Sequence, residues 1–105
     1  MKIVKVTDEA ILFDNGIVIT FDHEQDCCEE NYADFNQLDY IARMYNFSEP
    51  LEFEAVPGAG FRFGDNRAMF FVPCYSSQNG YYSDEIDIYI SGERRKVLSF
   101  ECEEI

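Results

Sequence analysis

A chain of 105 residues, 47% hydrophobic and 16% aromatic, is sized for one compact domain over residues 1–105 with a single core. Its 21 Asp and Glu against 8 Lys and Arg give a formal charge of −13. That sign argues against direct binding to nucleic acid or an anionic membrane, and the apolar content against a disordered acidic tail.

In chain order, the opening reads as a β-meander. Lys2–Val6 and Ala10–Phe13 are short apolar strands, followed by Asp14-Asn15-Gly16. Asn-Gly accepts the positive φ of a type I′ turn, so a tight hairpin is expected there. The return strand alternates, with Ile17, Ile19 and Phe21 on one face and Val18, Thr20 and Asp22 on the other. After a polar stretch from His23 to Asn31, Phe35, Leu38, Ile41, Ala42 and Tyr45 recur at helical spacing. That period predicts an amphipathic helix over 34–44, capped by Asp34 or Asn31 and ended by the Ser48-Glu49-Pro50 break. Strands then return at Leu51–Val56, Phe61–Phe63 and Ala68–Val72, with Pro73 pointing to a sheet edge or a bulge. Gln78-Asn79-Gly80 signals a second hairpin. The last two strands carry Ile86, Ile88 and Ile90 on one face and Leu98, Phe100 and Cys102 on another, joined by a loop holding Arg94, Arg95 and Lys96. The expected class is α+β: a mainly antiparallel sheet of about six to seven strands with one amphipathic helix packed on a face.

The apolar runs are at most about five residues, against the ~20 of a membrane helix, and residues 1–9 lack the pattern of a signal peptide. A cytoplasmic protein is expected, and with it reduced thiols at Cys27, Cys28, Cys74 and Cys102.

The chemistry-bearing stretch is His23-Glu24-Gln25-Asp26-Cys27-Cys28-Glu29-Glu30, which holds the chain's one histidine, two thiols and four carboxylates. As a metal site, His23, Cys27 and Cys28 would bind zinc, with Cys74, Cys102 or a carboxylate as the fourth ligand. Adjacent cysteines on a strand point to opposite faces, which disfavours joint chelation, and the spacing matches no zinc knuckle. Read plainly, one cysteine is buried as a small apolar residue and the acids are solvated. Cysteine catalysis is disfavoured because Asp26, Glu29 and Glu30 oppose a thiolate. No P-loop, dinucleotide fingerprint or nucleophile elbow is present, so no catalytic residues and no cofactor are assigned.

Charge is the stronger signal. Between Lys5 and Arg43 there is no Lys or Arg, yet the interval holds Asp8, Glu9, Asp14, Asp22, Glu24, Asp26, Glu29, Glu30, Asp34 and Asp39. The seven from Asp22 to Asp39 are expected to form an acidic face that docks on a basic protein surface, with Tyr81 and Tyr82 as aromatic contacts. Solubility alone is the competing explanation of that charge. Tyr75, Tyr81 and Tyr82 equally suit cross-strand packing beside a turn.

Two patches carry a family resemblance. Ile19 to Glu29, with its H-x-Q-D-C-C-E run at His23–Glu29, and Ser77-Gln78-Asn79-Gly80-Tyr81-Tyr82-Ser83 are similar to segments of a family of small bacterial and phage proteins. The resemblance implies a bacterial or phage origin and proximity of the Cys-Cys and Asn-Gly-Tyr-Tyr segments; it implies no activity. The expectation is a non-catalytic acidic binding protein. In a phage setting this would be an inhibitor occupying the phosphate-binding groove of a nucleic-acid-handling or defence enzyme. A small zinc module is the alternative.

Overall fold

The computed structural model describes residues 1–22, 30–77, 85–91 and 95–104. Five strands form one antiparallel sheet: β1 (Ile3–Val6), β2 (Ala10–Phe13), β3 (Val18–Asp22), β8 (Glu85–Ile90) and β9 (Arg95–Glu101), in the order β1-β2-β3-β8-β9. The second sheet is centred on β7 (Met69–Ser77). It pairs with β6 (Gly60–Gly64) and then β5 (Glu52–Val56) on one flank, and with β4 (Glu30–Ala33). A two-residue strand, β10 (Glu103–Glu104), runs parallel to β7. The described residues form a mostly antiparallel β class, with ten strands in place of the expected six or seven and one short α-helix.

Alternation explains the core. Ile11 and Phe13 of β2, Ile19 of β3, Ile86 and Ile88 of β8 and Phe100 of β9 are buried from the first sheet. Phe61 and Phe63 of β6 with Val72 and Cys74 of β7 are buried from the second, and all belong to one contiguous cluster. Rings join the two layers directly: Phe13 meets Phe63 at 6.3 Å and Phe61 meets Phe100 at 6.1 Å between centroids. Facing sheets interdigitating across a shared core is the ordinary solution for strands that are apolar on one side.

The expected helix over 34–44 is corrected. The chain makes a single 3₁₀ turn at Phe35–Gln37, extends through Leu38 (ψ 132°) and Asp39 (ψ 138°), and only then forms α1 (Tyr40–Met44). Asp39 causes the restart, because its carboxylate accepts the Ile41 N–H at 2.9 Å as an N-cap. Phe35, Leu38 and Ala42 reach the core by this broken path, whereas Ile41 is 63% exposed. A helix this short has little stability of its own and follows the packing of its neighbours.

The first hairpin forms where expected but with another turn. Phe13 N–H donates to Ile17 O, Gly16 N–H donates to Phe13 O, and Gly16 takes φ +89°. That is a three-residue loop ending in a left-handed glycine, not a two-residue type I′ turn. Pro73 lies inside β7, a central strand. Cys74 N–H faces β6, donating to Ala59 O, so the Pro73 nitrogen faces the β4 flank. There the ladder has already ended at Ala33↔Cys74, and no strand donor is needed. Arg95 and Lys96, expected in a loop, begin β9 opposite Ile90 and Tyr89.

Candidate functional site

A groove of about 880 Å³ runs over β3, the end of β8, β4 and the turn between β1 and β2. Its position follows from local structure. Thr7 Oγ1 accepts the N–H groups of Glu9 (3.2 Å) and Ala10 (3.0 Å), folding 7–10 into a turn that places Asp8 and Glu9 on the rim. Val18, Thr20 and Asp22 lie on the β3 face opposite buried Ile19, and Tyr89 stands directly across from Thr20. β4 supplies Asn31 and Tyr32, and Asp34 and Asn36 close the far side.

Four carboxylates, Asp8, Glu9, Asp22 and Asp34, line this groove, and no Lys or Arg is among the described residues lining it. Neutral amides hold two of them. Asn36 Nδ2 donates to Asp8 Oδ1 across the groove, and Gln37 Nε2 donates to Asp34 Oδ2 at 2.7 Å. Beneath them Asn31 is buried, donating to Glu85 O at 3.1 Å and accepting from the Ser76 hydroxyl. Three ion pairs among the described residues, Arg62–Glu54, Arg67–Asp65 and Lys96–Asp87, lie outside this lining.

Of the residues singled out from the sequence, the structure brings Asp22 and Asp34 to the groove. Asp39 is used as the α1 cap, and Glu30 opens β4. His23, Glu24, Asp26, Cys27, Cys28, Glu29, Tyr81 and Tyr82 lie outside the described residues, as does the Asn79-Gly80 hairpin. Among the described flanking residues, Asp22 pairs with Asp87 and Glu30 with Ser77. Asp8 and Glu9, counted in the acidic interval but not assigned to the binding face, join the groove, as do Tyr32 and Tyr89. The Thr7 turn and the outward parity of Thr20 and Asp22 are the signals that point to them.

Among the described residues no group of three His, Cys, Asp or Glu side chains is placed to hold a metal. The most perturbed carboxyl there is Asp65, which is buried. Burial would raise it, but the backbone N–H groups of Ser48 and Arg67, the Tyr45 hydroxyl and the Ala68 N–H outweigh that and hold it well below the usual carboxylate range. Every donor comes from 45–48 or 65–68, so Asp65 clamps the segment after α1 to the β6–β7 turn. Its role is structural. No described helix is long and apolar enough to cross a membrane.

Comparison of the chain with protein-family models, curated proteins and solved structures finds no match.

Proposed function

We propose that the protein is a non-catalytic binding protein that presents its acidic groove to a basic surface of a partner protein. The observation that carries this reading is the convergence of Asp8, Glu9, Asp22 and Asp34 on one concavity with no cation in its described lining. Carboxylates gathered in a cleft focus the field more strongly than the same charges scattered over a convex surface, and they speed the arrival of a cationic partner. Tyr32 and Tyr89 in the lining add faces on which an arginine can stack. A nucleic-acid-handling enzyme, whose phosphate-binding groove is already cationic, is the natural target.

The test uses a synthetic oligo-arginine peptide as the probe, titrated calorimetrically at low and high salt. Binding to the wild-type chain is expected to weaken at least ~10-fold on replacing Asp8, Asp22 and Asp34 together with Asn, and to weaken as salt screens the contacts. A second triple variant, Glu52→Gln, Glu101→Gln and Glu103→Gln, removes the same charge from exposed positions outside the groove. It should keep most of the affinity. Equal losses in the two triples would reduce the effect to net charge and end the proposal.

A further inference from the structure

Cys74 of β7 is in contact with Cys102, the residue before β10. Glu103 pairs with Tyr75 and Glu104 with Ser76 in parallel register, so Cys102 stands across from Cys74 one position earlier. Cys74 is 0% and Cys102 4% exposed, and both belong to the core cluster. Neighbouring strands lie ~4.8 Å apart, inside the ~4.4–6.8 Å range of Cα separations that a disulfide spans. Cys102 sits between β9 and β10, outside either ladder, where the chain crosses from one sheet to the other. Among the described residues no ladder pairing holds Cys102 itself against the small closing movement a bond requires.

We propose that Cys74 and Cys102 form a redox pair that closes to an intramolecular disulfide when the protein meets a small-molecule disulfide oxidant such as glutathione disulfide. Closure staples the sheet-switching segment to the central strand β7. β10 is held by only two residues and opens locally at low cost, which exposes Cys102. The Cys102 thiolate attacks one sulfur of the oxidant, forming a mixed disulfide and expelling one glutathione thiolate. On re-docking, the Cys74 sulfur attacks Cys102 Sγ, forms the protein disulfide and expels the second. Both thiol protons pass to the departing thiolates, so two thiols and one oxidant give one disulfide and two reduced glutathiones. The order follows from the site: contact with the Cys102 thiol, then burial, then mutual repulsion push the Cys74 thiol far above its ordinary range, so Cys74 does not initiate.

The experiment uses the Cys27→Ser/Cys28→Ser chain, incubated in glutathione buffers of graded oxidation, then denatured and alkylated. Expected are a fall from two reactive thiols to none, a monomer mass lower by two hydrogen atoms, and a Tm raised by about 10 °C or more that reductant reverses. Two alkylated thiols across the whole series, glutathione adducts alone, or an intermolecular dimer would overturn the proposal. Should that variant not fold, the wild-type chain is oxidised, alkylated and digested. A linked peptide joining Cys74 to Cys102 supports closure, and Cys74 or Cys102 found alkylated or joined to Cys27 or Cys28 refutes it.

Discussion

Phe47 is the most informative single position in the core. It is 2% exposed and lies in the extended segment after α1, tied to Met1 by reciprocal backbone hydrogen bonds of 2.7 and 2.8 Å. Its ring meets Phe13 of the first sheet at 5.6 Å and Phe63 and Phe70 of the second at 5.6 Å each, with Tyr45 at 4.7 Å. It is thus a wedge that both sheets grip. Replacing it with Ala removes that transfer free energy and leaves a cavity whose walls belong to different sheets and cannot both collapse. The cost is ~3–5 kcal/mol, against a total stability of ~5–15 kcal/mol for a chain of this size.

Urea and thermal unfolding of Phe47→Ala and of Phe71→Ala test this. Phe71, 40% exposed on the outer face of β7, serves as the surface control and should cost ~1 kcal/mol or less. The Phe47 variant should lose at least ~12 °C in Tm, taking ~4 °C per kcal/mol at the low end. A loss below ~1 kcal/mol, or one equal to that of the Phe71 variant, would mean that the sheets do not close on this ring.

Gly64→Ala should destabilise by at least ~2 kcal/mol, because a Cβ there would lie 2.0 Å from Ala68 O and 2.9 Å from Met69 Cα, both backbone atoms that cannot step aside; a Tm within ~3 °C of wild type would refute it. The Asp65 carboxyl is depressed in the folded chain, so its contribution is present above the unfolded carboxylate value of ~3.9 and is lost as pH falls below it. Urea titrations from neutral to acid pH should show the stability difference between wild type and Asp65→Asn constant above pH ~5 and shrinking below pH ~4. Parallel curves throughout would remove Asp65 from the acid response.

What the sequence discloses is the strand content and the parity of the core. Alternation puts Ile19 on one face of its strand and Ile86 and Ile88 together on one face of theirs, and all three are buried. The segment 34–44 misled because Phe35, Leu38 and Ala42 satisfy helical spacing and are buried, yet Asp39 caps a new helix within the pattern. A residue that can cap competes with one that continues, and spacing alone does not weigh the two. Strand β4 was hidden because Glu30-Asn31-Tyr32-Ala33 has few apolar residues; the backbone of β7 recruits it, and Asn31 is buried by bonding Glu85 and Ser76. Pro73 lies in a central strand and not at the expected sheet edge or bulge, tolerated because its nitrogen faces the flank where the β4 ladder ends. The placement of β8 beside β3 brings Tyr89 to Thr20 across nearly seventy residues of chain, and no local signal encodes such a contact. The groove depends on that contact, so only its acidic side was legible.

The arrangement of the groove acids bears on whether their charge is more than a solubility device. Carboxylates serving solubility need no orientation; they gain most by pointing away from one another into water. Here Asp8, Asp22 and Asp34 come from a turn, a strand and a 3₁₀ cap, and they meet around one concavity. Two unit charges ~8 Å apart repel by ~0.5 kcal/mol in bulk water, and by more in a cleft of lower dielectric, so gathering carboxylates in one concavity has a cost. Amides from Asn36 and Gln37 hold Asp8 and Asp34, and a neutral amide fixes a carboxylate in position without cancelling its charge. A cationic side chain entering from outside would find acceptors already aligned, with little rotamer entropy left to lose on binding. Relief of the repulsion on its arrival would add to the contact energy. Asp8 and Asp34 held by neutral amides suit the proposed receipt of a positive partner better than a solubility role, which needs no such alignment.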